Sequence, residues 1–168
     1  MNKCYLAGGC FWCIADYLSS FSGIERIVSG YSGGDEKDVT YEEVKSQKTG
    51  HRETIEVTYN GSISLETIID IFLSYVDPFD SDGQYIDKGH SYTLAFYYQN
   101  EIEKELYLRK IRELEEKYNQ KAYISVEAFK FFIKAEEYHQ EYSKKNPEAF
   151  LKELIASNRT CHIKKFIK

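Results

Sequence analysis

Two cysteines three positions apart, Cys10 and Cys13, follow a pair of glycines near the start of the chain. A short apolar run precedes the glycines, and this order predicts that Cys10 stands where a helix begins. The unpaired N–H groups of a helix N-terminus lower the pKa of a cysteine, and the thiolate is the form that attacks. Phe11 and Trp12 separate the two thiols. We interpret the segment as a nucleophile with an apolar substrate pocket beside it.

Three interpretations of this Cys-x-x-Cys pair stay open from the residues alone. In redox exchange, one thiol attacks and its neighbour resolves the product. In a zinc site, the pair would supply half of the four ligands, and Cys161 and His162 are the other sulfur and imidazole that lie together in the sequence. In the third interpretation, both thiols pack in the core and carry no chemistry.

The composition limits the classes of protein that fit. The chain has 168 residues, of which 42% are hydrophobic, so we expect one soluble domain with a substantial core. Its 22 Lys and Arg against 27 Asp and Glu give a net charge of -5, which argues against a nucleic-acid partner. No apolar stretch approaches the roughly 18–20 residues that span a membrane. The small number of cysteines and the lack of a secretory signal favour a cytoplasmic protein.

Two further segments carry groups that suit proton transfer or substrate positioning. Glu42 or Glu43 could be a buried general acid, because burial in an apolar pocket keeps a carboxyl group protonated near neutral pH. The alternative is a pair of surface glutamates on a solvated turn. Asp87 and Tyr92 lie where a long polar loop, residues 77–90, meets a strand. Loop ends beside strands are common positions for residues that orient substrates.

The elements that must position these residues alternate along the chain. Hydrophobic spacing predicts strands at 4–7, 24–31, 53–59, 92–98 and 123–129, and helices at 11–21, 65–75, 100–118 and 134–145. Thr40 is the expected N-cap of a short helical turn. The alternation predicts one α+β or α/β domain over residues 1–168, with a basic tail from about residue 155.

Several segments, taken together and in order, resemble the A-class peptide methionine sulfoxide reductases. Each segment alone is a weak signal, but their shared order makes the resemblance specific. It implies an α+β domain with a mixed β-sheet flanked by helices, which we expect to have a ferredoxin-like two-layer sandwich core. The matching segments are Gly9-Cys10-Phe11-Trp12, Gly30-Tyr31-Ser32-Gly33-Gly34, Thr40-Tyr41-Glu42-Glu43-Val44, Thr49-Gly50-His51, Asp77-Pro78, Asp87-Lys88-Gly89 through Tyr92, and Ala135-Glu136-Glu137-Tyr138-His139-Gln140.

The resemblance implies a nucleophile and a pocket at the N-terminal motif. Cys10 would attack the sulfur of a methionine sulfoxide, and Phe11 and Trp12 would form the apolar slot for its methyl group. The products would be methionine and a sulfenic acid on Cys10. The family acts on the S epimer, free or in proteins, and thereby repairs oxidative damage. It uses no metal or organic cofactor.

The resemblance also implies the groups that act on the sulfoxide oxygen. Glu43 would protonate this oxygen, and Tyr31 and Tyr92 would donate hydrogen bonds to it. Asp87 would orient the site and its water. These assignments agree with the chemistry of a polarised S=O group, which needs a soft nucleophile, a proton source and neutral donors.

The thiol that resolves the sulfenic acid differs among members of the family. Cys13 stands where many members carry glycine, and in the subset that reads as here it would be the resolving thiol. Cys161 is the less favoured candidate, because its tail lacks the glycines typical of C-terminal resolving segments. Thioredoxin would then reduce the disulfide, and a monomer is the family-like default. A general thiol–disulfide oxidoreductase and a zinc-stabilised binding module are the alternative functions.

Overall fold

The computed structural model describes residues 1–157, and its main element is a six-stranded mixed β-sheet. The eight strands are β1 (Asn2–Gly8), β2 (Ile24–Ser32), β3 (Arg52–Tyr59), β4 (Gly83–Gln84), β5 (Asp87–Lys88), β6 (Leu94–Tyr98), β7 (Ile124–Ala128) and β8 (Ile133–Lys134). The six α-helices are α1 (Phe11–Ser19), α2 (Tyr41–Lys45), α3 (Leu65–Tyr75), α4 (Glu101–Tyr118), α5 (Tyr142–Lys145) and α6 (Pro147–Ala156). Short 3₁₀ turns span His90–Tyr92 and Glu137–His139.

The strands of the large sheet follow the order β7-β6-β1-β3-β2-β8. Within residues 1–157, β6 and β7 are the one parallel pair of this sheet and α4 connects them, whereas the other neighbours are antiparallel. Strands β4 and β5 form a separate hairpin within the long polar loop. The α+β class with a mixed sheet is therefore confirmed, while the ferredoxin-like core stays a prediction.

The core fills the face of the sheet on which α1 and α3 pack. Alternate residues of β1 and β3 point into it, as strand geometry requires, and they meet the apolar stripe of each helix. A second, smaller cluster lies on the opposite face, where Phe129 and Phe132 cover Tyr5 and Tyr97. The main cluster includes Leu6, Ile14, Leu18, Ile55, Val57, Ile68, Ile69, Phe72 and Phe96.

The predicted elements agree with the structure except near the C-terminus. The helix at 65–75 has the bounds that periodicity predicted. The predicted helix at 134–145 is wrong, because Ile133 and Lys134 pair with β2 and Glu141 adopts a left-handed backbone at φ 50°. Helix α6 was not predicted, and the basic tail beyond residue 157 lies outside the described residues.

Candidate active site

The nucleophile motif is positioned by the end of β1 and the start of α1. Gly9 turns the chain with φ 83°, a left-handed conformation that favours glycine. A Cβ on Gly8 would approach the Phe72 ring to 2.8 Å, so the helix α3 packs directly on this backbone. Cys10 is the N-cap of α1 and is 6% exposed. The N–H groups and partial positive charge of a helix N-terminus favour the thiolate form of a cysteine in general.

A buried carboxyl group lies beside this cysteine, and it belongs to Glu53. Its Oε1 accepts a hydrogen bond of 3.1 Å from the backbone N–H of Phe11. Glu53 is 2% exposed and shares its strand parity with the buried Ile55 and Val57. That parity is the sequence signal that places residue 53 on the core face of β3, and our sequence reasoning missed it.

The structure contradicts the burial expected of Glu43. Its side chain is exposed, and its carboxylate accepts hydrogen bonds from the backbone N–H and hydroxyl of Thr40. In return, the Thr40 hydroxyl accepts from the Glu43 N–H, which completes a capping box at the start of α2. A carboxylate committed to a helix cap at the surface lacks the apolar surroundings that a buried acid requires. The Thr-x-x-Glu spacing was itself a signal for this structural use.

Two tyrosine hydroxyls converge near the thiol and the buried carboxyl group. The side chains of Tyr41 and Tyr92 lie close enough to influence each other electrostatically. Burial raises the pKa of both, and the nearby Glu53, Cys10 and Asp87 raise it further. Both tyrosines therefore keep their protons at neutral pH and can donate hydrogen bonds. These effects show that the five side chains lie close to one another.

Tyr31, which the resemblance places at the sulfoxide oxygen, contacts Glu136 in the structure. Its hydroxyl donates to Oε1 of Glu136 at 2.9 Å, and burial together with this bond raises its pKa. The other oxygen of Glu136 accepts from the backbone N–H of Tyr41 at 2.9 Å. A phenol has one hydroxyl proton to donate, and in this structure Tyr31 donates it to Glu136. The sequence offered both tyrosines, and nothing in their spacing identified Tyr41 as the one near the thiol.

Aromatic rings form one wall of the site. Trp12 stacks on Tyr142, with ring centroids 3.9 Å apart and planes 10° from parallel. The Trp12 Nε1–H donates to Nδ1 of His139 at 3.0 Å. Phe11 lies 5.2 Å from the His139 ring and 6.2 Å from the Tyr41 ring, measured between centroids. The indole is therefore held in orientation by a stack and a hydrogen bond at once.

The cysteines of residues 1–157 are thiols, and no disulfide joins them. Cys13 is 1% exposed in the first turn of α1 and belongs to the main core cluster. Cys4 is fully buried in β1, and burial together with the charge of Glu103 raises its pKa, which suits a core residue. Cys161 lies outside the described residues.

Residues 1–157 contain neither a candidate metal site nor a candidate membrane-spanning helix. No group of three or more His, Cys, Asp or Glu side chains there could hold a metal ion. Nor does any helix in this part of the chain combine the length and apolar character needed to cross a membrane.

A thiol at a helix start, beside a buried carboxyl group, is an arrangement that suits thiol-based catalysis. The chain belongs to the peptide methionine sulfoxide reductase family, whose model matches residues 2–168. It is thus an enzyme that uses thiols to reduce methionine sulfoxide, as the resemblance predicted.

Individual relatives agree with this assignment. The chain is 39% identical to the peptide methionine sulfoxide reductase MsrA 2 of Staphylococcus aureus over 168 residues, which cover 97% of this chain and 95% of that protein. It is 43% identical to MsrA of Picrophilus torridus over 150 residues, covering 88% and 84%. The crystal structure of reduced Mxr1 from Saccharomyces cerevisiae has a TM-score of 0.81 and 32% identity, covering 88% of this chain and 86% of that one.

Proposed function

We propose that this enzyme reduces methionine-S-sulfoxide by attack of the Cys10 sulfur on the sulfoxide sulfur, with Glu53 as the proton donor. The observation that carries the proposal is the hydrogen bond from the Phe11 N–H to the buried Glu53 carboxyl group, which holds the acid next to the nucleophile. Burial disfavours the ionised form of a carboxyl group, and the neutral form is the one that can donate a proton. Glu53 therefore replaces Glu43 in this role.

The sulfoxide oxygen would be held by Tyr41 and Tyr92. Tyr92 is buried and Tyr41 is half-buried, both carry their protons at neutral pH, and both lie near Glu53 and Cys10. Neutral donors suit this oxygen, because it carries partial negative charge in the substrate and accepts a proton during the reaction. Asp87 interacts with both tyrosines and would orient the site and its water.

The methyl group of the substrate would pack against Phe11 and Trp12. The two rings are 6.4 Å apart between centroids and are fixed by neighbouring aromatic rings. A rigid apolar slot favours the methyl sulfoxide over sulfoxides with larger substituents, since an extra methylene is worth about 1–3 kcal/mol in such a pocket.

Two thiols, Cys10 and Cys13, act in sequence during one turnover. The Cys10 sulfur supplies the two electrons that reduce the sulfoxide, methionine leaves, and Cys10 carries the oxygen as a sulfenic acid. Cys13 then attacks this sulfur, forms the disulfide and releases water. Thioredoxin, proposed as the reductant, returns two electrons. Mxr1 of Saccharomyces cerevisiae has been crystallised with Trx2, which accords with this partner.

Cys13 is the favoured resolving thiol because it lies one helical turn from Cys10. Residues three apart on a helix have Cβ atoms about 5–6 Å apart, whereas a disulfide requires about 3.5–4.5 Å. Closing the bond therefore needs a local adjustment of the first turn of α1. Cys161 is the alternative.

The test of the acid compares Glu53→Gln with Glu43→Gln. Single-turnover release of methionine from an S-sulfoxide peptide should slow about 100- to 10,000-fold in Glu53→Gln, the range for loss of a positioned acid. Glu43→Gln should turn over like the wild type, because it changes only a surface helix cap. The reverse pattern would refute Glu53 as the acid.

The test of the resolving thiol counts free thiols before and after one turnover. We expect two thiols to disappear in the wild type and one in Cys13→Ser, with one methionine released from the S epimer in each. Loss of two thiols in Cys13→Ser would assign the step to Cys161 or Cys4. Release of methionine from the R epimer alone would contradict the proposed stereochemistry.

The remaining features of the proposal concern the setting of the enzyme. We infer a single reductase domain over residues 1–168 that acts as a monomer, on free or protein-bound sulfoxide, in the cytoplasm. The continuous family match over residues 2–168 supports the single domain. The other features stay predictions from the sequence, and sedimentation and fractionation would test them.

A further inference from the structure

Gln47 adopts a backbone conformation that ordinarily belongs to glycine. It follows helix α2 with φ 66°, and its N–H donates to the Val44 carbonyl at 3.0 Å, as the residue after a helix C-cap does. A side chain in this left-handed region is strained, and such strain persists only where the surroundings compensate for it. Here the hydrogen bonds of the Gln47 side chain compensate for the strain.

Both ends of the Gln47 carboxamide bind one residue across the site. Its Oε1 accepts from the backbone N–H of Ser91 at 2.9 Å, and its Nε2 donates to the Ser91 hydroxyl at 2.8 Å. Nε2 also donates to the carbonyl of Lys45 at 3.0 Å. Ser91 is 1% exposed, so the carboxamide satisfies a buried backbone donor in the 3₁₀ turn His90–Tyr92.

The turn that carries Ser91 fits closely against this carboxamide. Gly89 precedes the turn with φ 120°, and a Cβ there would lie 2.6 Å from Cδ of Gln47. The absence of a side chain at Gly89 therefore leaves the space that Gln47 occupies. We call the contact between Gln47, Gly89 and Ser91 the glutamine clamp.

The clamp joins the two segments that carry the proposed oxygen-binding tyrosines. Tyr41 begins α2 and Gln47 follows its end, while Tyr92 comes directly after Ser91. The two tyrosine side chains lie close enough to influence each other electrostatically. Because Gln47 ties the end of α2 to the turn, it limits how far the segments that carry the two tyrosines can move apart.

We propose that Gln47 is a positioning residue that keeps Tyr41 and Tyr92 in their relative positions beside Cys10. The inference rests on the proposed role of these tyrosines, because Gln47 acts through them. A displacement of the two hydroxyl donors by about 1 Å can lower the rate about 100-fold. Loss of the clamp should therefore lower kcat, whereas substrate binding in the aromatic pocket should change little.

Two variants distinguish the effect of losing the clamp from the effect of backbone strain at residue 47. Gln47→Gly loses the clamp but relieves the left-handed strain, whereas Gln47→Met loses the clamp and keeps the strain. We expect kcat for an S-sulfoxide peptide to fall about tenfold in both variants with little change in KM. Urea unfolding should show Gln47→Gly to be the more stable of the two, so that activity does not follow stability.

A conservative variant and a matched control complete the test. Gln47→Glu can still accept from the N–H and hydroxyl of Ser91, and it should recover most of the lost kcat. Asn119→Gly relieves a left-handed residue at the end of α4, φ 48°, and should leave kcat unchanged.

Two results would overturn the inference. Wild-type kcat in Gln47→Gly and Gln47→Met, with Tyr92→Phe impaired, would refute the clamp and leave the proposed function standing. Wild-type kcat in Tyr92→Phe would refute the role of the tyrosine itself, and the clamp would fail with it.

Discussion

His139 should make the stability of the enzyme depend on pH through its bond to Trp12. The Trp12 Nε1–H donates to Nδ1 of His139, so Nδ1 must be unprotonated and the ring proton of the neutral form sits on Nε2. His139 is 1% exposed, and among the described residues its Nε2 has no hydrogen-bond partner. Protonating this ring would place a second N–H against that of Trp12.

The direction of the effect follows from the pKa. Burial lowers the pKa of His139 below its ordinary value, although the carboxylates of Glu136 and Glu42 act in the opposite direction. The unfolded chain therefore binds the proton more readily than the native protein. The contribution of His139 to stability is complete above the unfolded pKa of about 6.5 and is lost as the pH falls.

Linkage sets an upper limit to the effect in an acidic buffer. About 1.5 pH units separate pH 5 from the ordinary histidine pKa, and each unit corresponds to about 1.4 kcal/mol. The loss of unfolding free energy from His139 between pH 7.5 and pH 5 is therefore at most about 2 kcal/mol. That limit agrees with the loss of one hydrogen bond to a buried donor, at about 1–3 kcal/mol.

The assay is urea unfolding of the wild type and His139→Gln at both pH values. A glutamine oxygen can accept from the Trp12 N–H but does not titrate, so the variant should lose less stability on acidification. Trp12 is the only tryptophan, and its fluorescence should shift with pH in the wild type alone. The exposed His90 offers a matched control, since His90→Gln should behave like the wild type. Equal acid-induced losses in the wild type and His139→Gln would refute the reasoning.

The two remaining predictions concern Gly30 and Tyr31, two neighbouring residues of β2. A Cβ in Gly30→Ala would lie 2.3 Å from the Ile133 carbonyl oxygen, so the pairing of β8 must open. We expect a destabilisation of about 3 kcal/mol in urea unfolding, and an unchanged midpoint would contradict the close approach. Tyr31→Phe loses its bond to the Glu136 carboxylate, at about 1.5–3 kcal/mol of stability. The kcat of Tyr31→Phe should fall less than that of Tyr92→Phe. An equal fall in both variants would support the original prediction that Tyr31 binds the sulfoxide oxygen.

Local patterns were sufficient for most of the fold. The helix Leu65–Tyr75 and the strand Arg52–Tyr59 carry clear apolar periods, because each buries one face against the same core. The failure at residues 134–145 has a long-range cause. Ile133 and Lys134 pair with a strand that ends a hundred residues earlier in the chain, and no local pattern records such a partner.

The sequence by itself determined the family, the nucleophile motif and the kinds of group that the reaction needs. Cys10 could be recognised locally, since its glycines, its helix and its aromatic neighbours are adjacent in the chain. Our proposal of Glu53 in place of Glu43, and of Tyr41 in place of Tyr31, depends on the tertiary structure. Proton donation depends on burial and on partners, and the hydrogen bond from Phe11 to Glu53 spans 42 positions. Only the packed sheet brings those residues together.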